Sequence, residues 1–133
     1  METAEAIKLL RSSLGLSQER LARELDVSWR TVARYEAGGN PDVLELAKLQ
    51  KFALEHGRDA IATVFEALID VQVAPFLTST RNTAIAAGRI RKAIDDLSSL
   101  AIDSPALQNR IAPIVGDLTV ALNRLRENEK GKP

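Results

Sequence analysis

The chain has no cysteine, one histidine, five prolines, one tryptophan, one tyrosine and three phenylalanines in 133 residues. Without cysteine there is no disulfide scaffold, no thiolate zinc site, no iron–sulfur cluster and no thiol nucleophile. That absence agrees with a reducing compartment. Charge of one sign is missing too, since 18 Lys+Arg stand against 18 Asp+Glu. A net charge of zero exerts no global pull on nucleic acid, so any such binding has to come from a local surface. No apolar run approaches the ~20 residues of a membrane-spanning helix. The opening Met1-Glu2-Thr3-Ala4-Glu5 is acidic and lacks the basic-then-apolar pattern of a signal peptide. The cytoplasm is therefore the expected location.

What is present points to helix. Hydrophobic residues make up 45 % and charged residues 27 %, the proportions of an ordinary globular chain. Alanine (19) and leucine (18) dominate, and they favour helix where the scarce aromatics favour strand. The expected fold is all-α: an N-terminal helical bundle over residues 1–57, a helical region over 58–127 and a frayed charged tail over 128–133.

Local signals divide the chain further. Residues 3 to 13 read as a first helix, with Thr3 as its N-cap and Ile7, Leu10 and Leu14 as its apolar stripe. Ser17 caps a second helix, Gln18 to Leu25, and Ser28 a third, Trp29 to about Glu36. After the loop Ala37-Gly38-Gly39, Asn40 as cap and Pro41 at the first helical position open a fourth helix, stopped by Gly57. A fifth carries Ile61, Val64, Phe65 and Leu68 and ends around Val73, before Pro75. Thr78 to Thr80 offer a cap for a sixth, whose stripe is Ile90, Ile94, Leu97 and Ala101. Pro105 opens a seventh, which Pro113 should kink or split. Its apolar residues Leu107, Ile111, Ile114, Leu118, Ala121 and Leu125 recur at intervals of 4, 3, 4, 3 and 4, a heptad seam.

The stretch that speaks to function is Ser17 to Glu36. Two short helices meet through a very short connection, Asp26-Val27-Ser28. To hold them near a right angle, Leu21, Leu25, Val27, Val32 and Tyr35 must point into a shared corner. Ala22, where the axes cross, is small enough to let them approach. Trp29, Arg30, Ala33 and Arg34 are left facing outward, and an exposed helix of this width fits a B-DNA major groove.

Leu-Ser-Gln-Glu-x-Leu-Ala at 16–22, the β-branched anchor Val32 and Tyr35-Glu36-Ala37-Gly38 resemble the phage-repressor (Cro-like, XRE-type) helix-turn-helix family over roughly residues 5 to 57. The resemblance implies roles position by position. Gln18 corresponds to the residue that contacts a phosphate and braces the recognition helix. Trp29, Arg30 and Arg34 fall where the family reads base edges, and Ser28 and Thr31 are phosphate candidates. Arg11 and Glu36 resemble the family's structural ion pair between the first helix and the end of the third. Two departures stand out. The tight turn usually holds glycine, and here it holds Asp26, which tolerates the left-handed region better than most residues. The first outward position is often a polar reader, and here it is Trp29, suited either to a thymine methyl or sugar backbone or to packing on a neighbouring helix.

Nothing in the sequence suggests catalysis. There is no glycine-rich phosphate loop, no metal constellation and no nucleophile–base pair, so no enzyme activity, cofactor or metal is expected. His56 beside Gly57 reads as a helix C-terminal residue, and the adjacent Asp95 and Asp96 as solvated charge. The implied function is a sequence-specific DNA-binding transcriptional regulator, a homodimeric repressor that binds a palindromic operator in double-stranded DNA. Its dimer would form through residues 58–127. Those seams are equally compatible with an internal core, an effector pocket or a groove for a protein partner. The competing function is a protein-interaction module, antitoxin-like or an antagonist of another regulator.

Overall fold

The computed structural model describes residues 2–78 and 83–130, with side chains over 2–75 and 86–127. Among the described residues there are seven helices and no strand: α1 (Thr3–Ser13), α2 (Gln18–Leu25), α3 (Trp29–Glu36), α4 (Val43–Glu55), α5 (Asp59–Thr78), α6 (Thr83–Ala101) and α7 (Pro105–Lys130). The all-α expectation holds. The helices fall into two compact units, Met1–Ile69 and Asp70–Pro133, so the division lies within α5 rather than at Gly57. Ile61, Ala62, Phe65 and Ile69 of α5 are buried and group with the first unit.

In the first unit α1 packs on α3, and α2 packs on both α3 and α4. The buried residues sit at helical spacing: Ala6, Ile7 and Leu10 on α1, Leu21, Ala22 and Leu25 on α2, Val32 and Tyr35 on α3. Each of the first four helices closes with the same bond, from an N–H just past the helix back to the carbonyl five residues earlier. Leu16 donates to Arg11, Val27 to Ala22, Gly39 to Arg34 and Arg58 to Ala53, all at 2.8–2.9 Å. Such a closure needs one residue with positive φ. Gly15 (68°), Gly38 (109°) and Gly57 (71°) supply it in three cases, and Asp26 (φ 55°, ψ 48°) in the fourth. Asp26 is thus in the left-handed turn expected of it.

Several helix ends differ from the sequence reading. Glu2, not Thr3, is the N-cap of α1, and its side chain makes no capping bond. At α4, Asp42 replaces Asn40 and Pro41 as the start: its Oδ1 accepts the Glu45 N–H at 2.9 Å. Aspartate caps as well as asparagine, and the carboxylate also complements the helix dipole. Pro75 does not end α5, which continues to Thr78, and Pro113 does not split α7. A proline forfeits one bond to the carbonyl four residues back. Here those carbonyls belong to Val71 and Asn109, both exposed like the prolines themselves, so water can take the lost bonds. The cap assigned to Thr78–Thr80 falls at the end of α5 and on residues 79–82, outside those described. The helix also runs into the tail as far as Lys130.

In the second unit α6 and α7 pack along their length. The α7 seam is buried throughout, with Leu107 and Leu118 at 0 % exposure. On α6 the buried set is Ala86, Ile90, Ala93, Leu97 and Ala101, while Ile94 is only half-buried. Small alanines alternating with Ile90 and Leu97 let two helix axes come close. The seam is therefore an internal core of this chain. It is not left open for a second copy.

Candidate nucleic-acid interface

The second and third helices build the site from their caps outward. Ser17 Oγ accepts the Arg20 N–H at 3.1 Å, and Ser28 Oγ accepts the Thr31 N–H at 3.2 Å. Both serines satisfy backbone donors that the helix itself cannot. The Val27 N–H, bonded to Ala22, and the left-handed Asp26 turn the chain between them. Of the five residues expected in the shared corner, Leu21, Leu25, Val32 and Tyr35 are buried, and Val27, on the connection itself, is half-buried.

A second anchor fixes the far end of α3. Glu36 is buried, its side chain only 3 % exposed, and it receives two hydrogen bonds from Arg11 of α1. Arg11 Nη2 meets Oε1 at 2.8 Å and Nε meets Oε2 at 3.2 Å. Arg11 Nη1 also donates to the Leu16 carbonyl at 3.2 Å, so one guanidinium joins α1, the loop before α2 and the end of α3. The fork-to-fork geometry fixes direction as well as distance. The ion pair expected from the sequence is present.

With one face and both ends committed, α3 turns a distinct surface to solvent. Ser28, Trp29, Arg30 and Arg34 are exposed and Thr31 is half-buried. Trp29 keeps 50 % of its surface open. Among the described residues Arg30 has no hydrogen-bond or ion-pair partner. The Arg34 guanidinium lies 5.4 Å from the centre of the Tyr35 ring. The one acid of α3 is Glu36, already buried against Arg11, so the outward face carries two arginines and no carboxylate. A neutral chain thereby presents a locally basic helix face.

The two hydroxyls behave as a pair. Ser28 Oγ and Thr31 Oγ1 lie 2.9 Å apart. When Thr31 donates to Ser28, which already accepts the Thr31 N–H, the Ser28 hydroxyl proton is free for an external acceptor. Gln18 opens α2 half-buried, and among the described residues its amide has no partner. The brace to α3 that the resemblance implied for Gln18 is not formed.

Tyr35 is 5 % exposed. Burial pushes its phenol above the ordinary value, and the nearby charge of Glu45 adds to this; Arg34 pulls the other way. Two features were not legible from sequence. Gly39 lies close against Arg34, where only the Gly38-Gly39 pair hinted at crowding. Gln50 is fully buried on α4 with neither amide atom bonded. Among the described residues no cluster of three His, Asp or Glu is placed to hold a metal. None of the described helices is long and apolar enough to cross a membrane.

Comparison with known proteins agrees with this construction. Residues 7–52 match the helix-turn-helix family, a stretch that runs from within α1 to within α4. Neither the curated proteins nor the solved structures yield a match to the chain. The matched residues hold the paired helices, the tight turn and the Arg11–Glu36 clasp, so the segment 7–52 is a helix-turn-helix domain similar to those of XRE-type, Cro-like regulators.

Proposed function

We propose that the protein is a sequence-specific DNA-binding transcriptional regulator that reads the major groove with α3. The observation that carries this reading is the outward face of α3: Trp29, Arg30 and Arg34 exposed together, with no carboxylate among them. Arginine presents a planar fork that matches guanine O6 and N7, and residues four apart on one helix face reach neighbouring base pairs. Ser28 and Thr31, at the N-terminus of α3, and Gln18, at that of α2, supply phosphate contacts that set the register. Trp29 covers a thymine methyl or the sugar backbone.

One recognition helix spans few base pairs. A palindromic operator read by two copies, with half-sites about 34 Å apart, supplies the missing specificity. Occupying such a site excludes other proteins from it, which is repression. Because the α6–α7 seam is already filled, the two copies associate through an outer face of residues 58–127, where, among the described residues, Val71, Ile102 and Val120 are the exposed large apolar ones.

Selection of bound sites from random double-stranded DNA by the full chain tests the reading. A two-fold symmetric consensus is the expected result, with affinity falling steeply as salt rises. Arg30→Ala and Arg34→Ala should each cost about 1–3 kcal/mol of specific binding and leave the fold intact. Sedimentation at tens of micromolar should show a dimer. A chain that selects no sequence would act instead on another protein, and a monomeric chain would remove the symmetric operator.

A further inference from the structure

Arg30 and Arg34 share one face of α3, yet the fold treats them differently. Arg30 is unattached among the described residues. Arg34 is bracketed. On one side is the Tyr35 ring, 5.4 Å from the guanidinium carbon. On the other is Gly39: a Cβ added there would come within 3.0 Å of Arg34 Cγ and 3.0 Å of the Arg34 carbonyl oxygen. That same oxygen accepts the Gly39 N–H at 2.9 Å. Gly38 needs glycine for its φ of 109°, but Gly39 has no positive φ. Glycine at 39 is therefore explained by the space that Arg34 occupies. Tyr35 is itself buried, 5 % exposed, with the charges of Glu45 and Asp42 close enough to act on its phenol.

We propose that Tyr35 and Gly39 are positioning residues that pre-set Arg34 as the discriminating base reader of α3, leaving Arg30 as an adaptable one. This deepens the DNA-reading assignment and rests on it. The physical ground is conformational entropy. A free arginine side chain has many rotamers, and freezing them on binding opposes affinity. A side chain already held by a ring face and a backbone wall loses fewer, so more of its bidentate bonding to guanine appears as discrimination. The chemistry recognised is the O6/N7 edge of one guanine in each half-site.

The experiment uses the full chain and the DNA site it selects. Affinity is measured for that site and for versions with each G·C pair changed singly. Arg34→Ala should erase the preference at one pair, a loss of about 5- to 150-fold. Tyr35→Leu and Gly39→Ala should lower the preference at that same pair by about 2- to 12-fold, leave the other pairs alone, and add nothing in an Arg34→Ala background. Tyr35→Phe, which keeps the ring but not the hydroxyl, should retain more of the discrimination than Tyr35→Leu. A merely structural role would weaken all sequences alike. Trp29 emission and a melting curve check each variant's fold; if Tyr35→Leu does not fold, Gly39→Ala decides. If Arg34→Ala loses the preference while Tyr35→Leu and Gly39→Ala keep it, Arg34 reads unaided: the proposal falls and DNA reading stands. Retention of every preference in Arg34→Ala likewise overturns it. Selection of no site by the wild type removes both.

Discussion

Removing either end of the Arg11–Glu36 clasp should cost very different amounts, and removing both should cost less than the sum. Glu36 has a side chain 3 % exposed, whereas Arg11 keeps 26 %. In Arg11→Met the carboxylate is left in a nearly dry site with its two donors gone. Orphaning one member of a buried pair costs about 3–5 kcal/mol. Water can follow into the quarter-open space that Arg11 vacates, so about 3 kcal/mol is the expected loss. Glu36→Gln keeps the shape and a carbonyl acceptor. Arg11 then retains its Leu16 bond, its solvent contact and one bond to residue 36, and what is lost is the charge assistance and the second bond, about 1–2 kcal/mol. The double variant has no buried charge to orphan and should lose only about 1–2 kcal/mol, a coupling of about 3 kcal/mol. Urea unfolding followed by Trp29 emission reads this directly, since Trp29 is the sole tryptophan and lies on the same helix as Glu36. For an m value of about 1 kcal/mol/M, Arg11→Met should lower the midpoint by about 3 M. Additive losses in the double variant, or a larger loss for Glu36→Gln than for Arg11→Met, would refute the reasoning.

Other substitutions probe different parts of the fold. Asp26→Gly should stabilise by about 0.5–1 kcal/mol, because glycine adopts φ 55° without cost and removes a carboxylate from the negative end of α2, whereas Asp26→Val should destabilise by about 1–2 kcal/mol; equal midpoints for the two variants would sink the turn argument. Gln50→Met should raise stability by about 1–2 kcal/mol, since it relieves a fully buried amide without partners at nearly constant volume; a lower midpoint would show that the amide is satisfied after all. Trp29 emission should shift or be quenched when the selected DNA is added, and constancy at saturation would place Trp29 outside the contact.

The local elements were legible in the sequence because their causes are local. Ser17 and Ser28 cap their helices within three residues, and Gly15, Gly38 and Gly57 mark three of the four closures by being able to take positive φ. Apolar residues at 3.6-residue spacing named the core of α2, α3 and α7 before any packing was known. The Arg11–Glu36 clasp came through resemblance alone, since no local rule joins residues 25 apart. Tertiary structure decided what depends on neighbours distant in sequence. It filled the α7 seam from within the chain, where a heptad pattern says only that something apolar must cover it. It carried α5 past Pro75, because the forfeited bond lies on an exposed face. It buried Gln50 on the stripe of Leu46, Leu49 and Ala53, where helical periodicity places a polar residue regardless of its chemistry. It also set Gly39 against Arg34. Which arginine is held and which is free is a property of the space around it, and spacing along the chain does not contain that space.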